Sequence, residues 1–294
     1  MFGVFFYCYA GMGATASFIL GNILKIEGIG SLLTIGFAYM AGIGFALIVA
    51  SGTSGGHFNP AVTIVRVLFR GFPVWKGLRY IVAQILGGYI TSLIIYWQWK
   101  PLITETEAAL TVAGAYDLVN FTAQGPAGIF ALYVTKGTPL GLVWVNEFIV
   151  DFFIGLVIFA CLDPTNFLCP PSLGPWTVGL AYAVGIWSYS PNGLAANAAR
   201  DVGGRLAAIS IWGLKASGGR YAAIAALTNI PATILAYLVY EIIFKDSSRI
   251  VTPAQKEFID GHRAHEEHKA QMHQSRRLSN ASDVEDKGHE EKRA

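Results

Sequence analysis

The sequence predicts an all-α membrane protein with six transmembrane helices and two re-entrant half-helices, arranged as an inverted three-plus-three repeat. Three observations carry that prediction. Only 14% of the 294 residues are charged and the mean hydropathy is +0.47, whereas soluble domains carry about 25% charged residues. Of the 21 basic and 19 acidic residues, half fall in residues 1–244 and half in the last 50, which reads as a membrane body followed by a polar tail. Two short apolar stretches, each opened by an asparagine behind a Gly-containing approach, recur at matching places in the two halves of the body. The net charge of +2, without a basic stripe, sets nucleic acid aside as a partner and leaves the lipid bilayer.

A bilayer core about 30 Å thick requires about 20 apolar residues per spanning helix. Stretches at 1–24, 31–52, 75–97, 140–162, 174–190 and 221–244 are expected to span, the fifth being the shortest. Six spans return both termini to one side. Arg66, Arg70, Lys76 and Arg79 lie between spans two and three, and the tail adds ten more Lys and Arg. The positive-inside rule therefore places both termini in the cytoplasm, with the plasma membrane expected over an internal one. Residues 1–97 form a first repeat, 140–244 a second, and 98–139 an extracellular connecting loop. That loop contains Asn120-Phe121-Thr122, a glycosylation acceptor pattern. Residues 245–294 are too polar to bury and are expected to be a cytoplasmic tail, disordered or loosely helical. Within it Arg276-Arg277-Leu278-Ser279 matches a basophilic kinase site, and phosphate on Ser279 would add up to about two negative charges.

The stretches at 58–69 and 197–211 are too short to cross, since a 13-residue helix covers roughly 20 Å. The first begins at Asn59 behind Ser54-Gly55-Gly56-His57-Phe58, and the second at Asn197 behind Pro191-Asn192-Gly193-Leu194-Ala195-Ala196. Aligning the two asparagines pairs Gly55 with Gly193, Ala61 with Ala199 and Val62 with Arg200. Three spans surround each element, and because three is odd the halves insert in opposite orientation. Paired interruptions of this kind point to a site at the membrane midplane.

An asparagine at a helix start can accept from the backbone and keep its amide N–H groups for another partner. Opposed half-helices would thus offer Asn59 and Asn197 as donors to a neutral solute. Two converging helix N-termini, each worth about +0.5 charge, would repel a cation. A unit charge pair at 4 Å and an effective dielectric of 20 is worth about 4 kcal/mol, close to a thousandfold suppression. Arg200 places a charge inside an otherwise apolar hairpin, which makes it a functional candidate by default.

The run Gly55-Gly56-His57-Phe58-Asn59-Pro60-Ala61-Val62-Thr63, together with Asn197-Ala198-Ala199-Arg200-Asp201, resembles the major intrinsic protein family of aquaporins and glycerol facilitators. The likeness covers residues 1–244, and the Asn-Ala-Ala form of the second motif resembles a fungal-like facilitator. It implies the aquaporin fold, a homotetramer with one pore per subunit, and pore motifs at Asn59-Pro60-Ala61 and Asn197-Ala198-Ala199. Ala198 stands where the family has proline; alanine is the best helix former, so the half-helix should survive with modestly less pre-organisation. The resemblance further implies an outer selectivity filter of Tyr39, Gly185, Leu194 and Arg200. Gly185 stands where water-selective members carry a histidine, which leaves room on one wall, and Leu194 adds an apolar surface. Both favour a pore wide enough for a polyol.

Asp201 and Arg205 resemble the glycerol-facilitator branch, and their i,i+4 spacing also suits an ion pair bracing the loop that holds Arg200. Glu147 opens span four, where a glutamate of the family holds the loops from inside the bundle. Its counterpart in the first half aligns immediately before Met1, so the chain is expected to be N-terminally shortened or begun at an internal methionine.

These residues predict a passive channel for water and small uncharged solutes such as glycerol, excluding protons and ions and using no cofactor. A strictly water-selective aquaporin is the alternative. Readings of another class are an ion-coupled transporter, an intramembrane enzyme and a non-conducting structural protein. The transporter would need a midplane acid, and of Glu147, Asp151, Asp163 and Glu241 only Asp151 lies a turn inside a span. The enzyme would need a paired nucleophile and base, which the chain lacks. His57, the single histidine of the body, is expected at the cytoplasmic vestibule with a possible share in pH sensitivity, and has no partner at metal-ligand spacing. Cys8, Cys161 and Cys169 read as buried free thiols.

Overall fold

The computed structural model describes residues 1–246, 248 and 250–290, with backbone alone at 273 and 276–290. Among these residues every regular element is helical. Span one is Phe2–Leu24 and ends where Lys25 turns left-handed, its N–H bonded to Gly21. Span two, Leu32–Ser54, starts from a reciprocal cap in which Ser31 and Thr34 each accept from the other's backbone N–H. The first half-helix is Pro60–Phe69. Span four is Leu140–Leu162 and span five is Gly174–Tyr189, whose 16 residues make it the shortest span. The second half-helix is Ala198–Trp212. Span six is segmented into Tyr221–Leu227, Asn229–Val239 and a π-helical turn at Tyr240–Phe244.

Span three departs from expectation. It runs from Val74 to Val112, 39 residues with Pro101 inside, so the stretch read as the start of a 98–139 loop is helical as far as 112. Lys100, Pro101, Glu105 and Glu107 had the composition of a loop. However, Ile103, Thr106 and Leu110 are buried on one side of the continuing helix, and this stripe pins it to the protein although its other face is polar. The rest of the connection folds inward: the 3₁₀ turn Pro126–Ile129 is wholly buried. Of the two readings of the tail, disordered or loosely helical, the structure has the helical one, at Pro253–Glu290.

The two-fold character of the sequence reappears in the packing. The first half-helix packs on spans six and three, and the second packs on span three. Spans two and five pack on each other across the repeat. Small residues allow the closest approaches, as is usual for helices that gain little from hydrophobic burial in lipid. At the crossing of span three with the second half-helix, a Cβ on Gly203 would stand 2.6 Å from the Ile85 carbonyl, and one on Gly88 would stand 2.6 Å from that of Ala199. Large apolar side chains such as Trp75, Leu33, Val49 and Trp97 face outward, as a lipid-exposed surface requires.

Candidate functional site

The site is built from two chain segments that approach from opposite sides. Asn59 caps the first half-helix, its Oδ1 accepting from Ala61 N at 2.9 Å, with Pro60 in the first helical position. Asn197 caps the second, its Oδ1 accepting from Ala199 N at 2.9 Å and from Arg200 N at 3.4 Å, with Ala198 first in the helix. The residue before each asparagine is left-handed: φ is 45° at Phe58 and 56° at Ala196. Neither is glycine, so each turn costs about 1–3 kcal/mol that its surroundings must offset.

That conformation is used. The turn presents the Phe58 carbonyl to Asn197 Nδ2 at 3.0 Å and the Ala196 carbonyl to Asn59 Nδ2 at 3.4 Å. The two half-helices are thereby tied tip to tip, and each asparagine has one N–H committed to the opposite loop.

A cavity of about 1040 Å³ runs past this junction. Its lining includes Asn22 and Gln124 on the side away from the tail, Asn59 and Asn197 in the middle, and Arg66 and Cys161 on the tail side. Arg200, Tyr39 and Leu194 line it too. Arg200 is 4% exposed. Its Nε donates to the Tyr39 hydroxyl at 3.0 Å, Nη1 to the Phe130 carbonyl at 2.7 Å and Nη2 to the Ile129 carbonyl at 3.2 Å. These bonds fix the guanidinium plane and help offset the cost of burying its charge.

Gly185 lies behind this wall. A Cβ there would meet Val150 Cγ1 at 3.0 Å and Leu194 Cδ2 at 3.3 Å, which corrects the expectation of open room on this wall: those two side chains fill the space beside the glycine, and Leu194 rather than Gly185 faces the cavity.

Three further groups brace the second loop. Glu147, fully buried, accepts from Ala195 N at 3.0 and 2.8 Å and from Ala196 N at 2.7 Å. Asp201 pairs with Arg205 at 3.0 and 2.5 Å. Arg205 also donates to the carbonyls of Ser217 at 2.9 Å and Leu132 at 3.0 Å. The Asp201–Arg205 pair thus joins the second half-helix to the same inward-folded loop whose carbonyls hold Arg200.

His57 also lines the cavity, toward the tail side, with Nδ1 3.2 Å from Thr63 Oγ1 and its ring against Phe72 and Tyr80. Asn120 is buried and its amide donates to the Tyr116 hydroxyl at 3.2 Å. A glycan on that nitrogen would have no room, which corrects the acceptor reading: the triplet pattern carries no information about burial. The side chain of Ser279 lies outside the described residues. Cys8, Cys161 and Cys169 are buried and unbridged. Asp151 is buried but does not line the cavity.

Several residues of the site were not read from the sequence. Tyr182 and Tyr7 line the cavity beside the asparagines. Tyr182 had a readable signal, lying one helical turn before Gly185. The Ile129 and Phe130 carbonyls had none, because a backbone acceptor leaves no mark on residue identity. Gln255, Phe258 and Ile259 of the tail helix line the tail-side end of the same cavity.

The family model described as Major intrinsic protein matches residues 1–216. The chain is 53% identical over 270 residues to Aquaporin-3 of Laccaria bicolor, covering 92% of this chain and 82% of that one. It is 33% identical over 205 residues to Aquaglyceroporin-2 of Rhizophagus irregularis, covering 69% of this chain and 61% of the other. The X-ray structure of the aquaglyceroporin from Plasmodium falciparum matches with a TM-score of 0.68 at 21% identity, covering 82% of this chain and 92% of that one, a likeness of fold alone. With paired asparagine-capped half-helices meeting inside a bundle of six spans, the chain belongs to the major intrinsic protein family, whose members are membrane channels and not enzymes.

Proposed function

We propose that the chain is a passive channel for water and small uncharged solutes, glycerol among them, which excludes protons and ions. The observation that carries the reading is the tip-to-tip junction of two half-helices at Asn59 and Asn197 beside a cavity that Arg200 also lines. Two positive helix ends and a guanidinium repel cations, while the same groups donate hydrogen bonds to a neutral oxygen. Arg200, Tyr39 and Leu194 form the filter, with Gly185 behind Leu194. Glu147, Asp201 and Arg205 hold it in place. Passage of glycerol is supported by the apolar Leu194 on the cavity wall and by the aquaglyceroporin relative.

Family membership supports a homotetramer with one pore per subunit. Arg66, Arg70, Lys76 and Arg79, on the side from which the tail emerges, support a cytoplasmic placement of both termini in a plasma membrane. A kinase acting at Ser279 would then meet its target in the cytoplasm.

Stopped-flow light scattering of proteoliposomes under osmotic and glycerol gradients tests the reading. Both solutes should move faster than in empty vesicles. Arg200→Ala should keep water flux and raise the passage of glycerol relative to water, because the donor that narrows the filter is gone. If neither solute exceeds the empty-vesicle rate, the channel reading fails for this chain. If water alone passes, the pore is water-selective.

A further inference from the structure

We propose that Tyr182 sets the solute preference of this pore at its midpoint, by competing with the passing solute for the free amide donor of Asn59. The proposal rests on the channel reading above and assigns a specificity-determining residue to it. Tyr182 sits on span five, and its side chain lines the cavity together with both asparagines. Its hydroxyl accepts from Asn59 Nδ2 at 3.4 Å.

Counting donors gives the consequence. An asparagine amide has two N–H groups. One from Asn197 is given to the Phe58 carbonyl and one from Asn59 to the Ala196 carbonyl. The second N–H of Asn59 is then directed to the oxygen of Tyr182. This oxygen stands where a solute oxygen would accept from Asn59. A phenol hydroxyl can both accept and donate, so a solute at this level meets the O–H of Tyr182 in place of the second N–H of Asn59.

The ring adds bulk to the constriction. Tyr7 of span one lines the same stretch, with its hydroxyl donating to the Phe58 carbonyl at 3.4 Å. A water molecule, small and able to accept or donate in any orientation, passes a single hydroxyl with little loss. A polyol, which presents successive hydroxyls in a fixed order, gains more from paired donors.

Tyr182→Phe keeps the ring and removes the competing oxygen; Tyr182→Val also removes the ring. The experiment compares water and glycerol permeability of proteoliposomes holding equal amounts of each variant and of the parent. In Tyr182→Phe, glycerol permeability should rise about two- to tenfold, the factor that one net hydrogen bond corresponds to, with a smaller rise for water. The glycerol-to-water ratio therefore increases, and it increases further in Tyr182→Val. A ratio unchanged from the parent in both variants, or lowered in Tyr182→Phe, overturns the proposal.

The parent measured against empty vesicles separates this proposal from the channel reading. A parent that conducts, with ratios that do not respond, removes Tyr182 alone. If neither parent nor variants conduct, both readings fall.

Discussion

The carboxylate of Glu147 accepts three hydrogen bonds from two consecutive backbone N–H groups, those of Ala195 and Ala196, with no exposure to solvent. Only a residue with two acceptor oxygens and no donor suits that position. Glu147→Gln would place an amide NH₂ against backbone N–H groups, leaving buried donors unpaired at a cost of about 1–3 kcal/mol. The expected outcome is a lowered unfolding temperature in detergent and a reduced permeability per channel, because the loop that Glu147 holds also presents the Ala196 carbonyl to Asn59. Intrinsic tryptophan fluorescence on heating, paired with vesicle swelling, measures both. Full stability of Glu147→Gln would mean that the loop is held by the half-helix junction without it. At this scale the sequence was legible where side-chain identity is the function, as at Asn59, Asn197 and Arg200. It was silent where a carbonyl does the work, as at Ile129 and Phe130, since any residue supplies one.

At the scale of elements, the position of the second half-helix depends on its crossing with span three. A Cβ on Gly203 would fall 2.6 Å from the Ile85 carbonyl and 2.7 Å from the Tyr89 nitrogen, both of them backbone atoms that cannot swing aside. Gly203→Ala should therefore push the half-helix outward, at a cost of about 1–3 kcal/mol for overpacking. Arg200, three residues earlier on the same helix, would move with it, so permeability should fall along with thermal stability. Gly13→Ala is the matched control, because a Cβ there meets nothing within 4 Å. Equal unfolding temperatures for the two variants would show that the crossing tolerates separation. The starts of the two half-helices were readable from local chemistry, at the asparagines that cap them. The far end of span three was not, since its extension depends on a buried stripe at Ile103, Thr106 and Leu110 whose partner surface lies in other segments.

Over the whole molecule, one cavity joins elements from both repeats and from the tail. Gln255, Phe258 and Ile259 line its tail-side end, and Gln255 is buried there. A chain ending after Phe244 lacks these side chains and should show a higher water permeability per channel, measured by stopped-flow swelling against the full chain at matched protein density. Equal permeability would place the narrowest point of the path elsewhere. The tail's polarity set it apart from the membrane body, yet its first two turns contribute to the wall of the cavity. Composition reports whether a segment can be buried in lipid, and a helix lying across an aqueous mouth has no need to be.

What the sequence by itself determined was the class of solution: six apolar segments read as spans, the fifth of them short, two half-length segments, and a repeat with an odd number of crossings. These follow from hydropathy and from the rule that backbone polar groups must be satisfied inside a bilayer. The two asparagines and the arginine were legible for the same reason, being polar groups that a membrane interior retains only at a cost. The tertiary structure alone decided which donors are free. The left-handed turns at Phe58 and Ala196 spend one N–H of each asparagine on the opposite loop, and Tyr182 takes up another. Hydrogen-bond capacity is a property of residue type, but its allocation is a property of position.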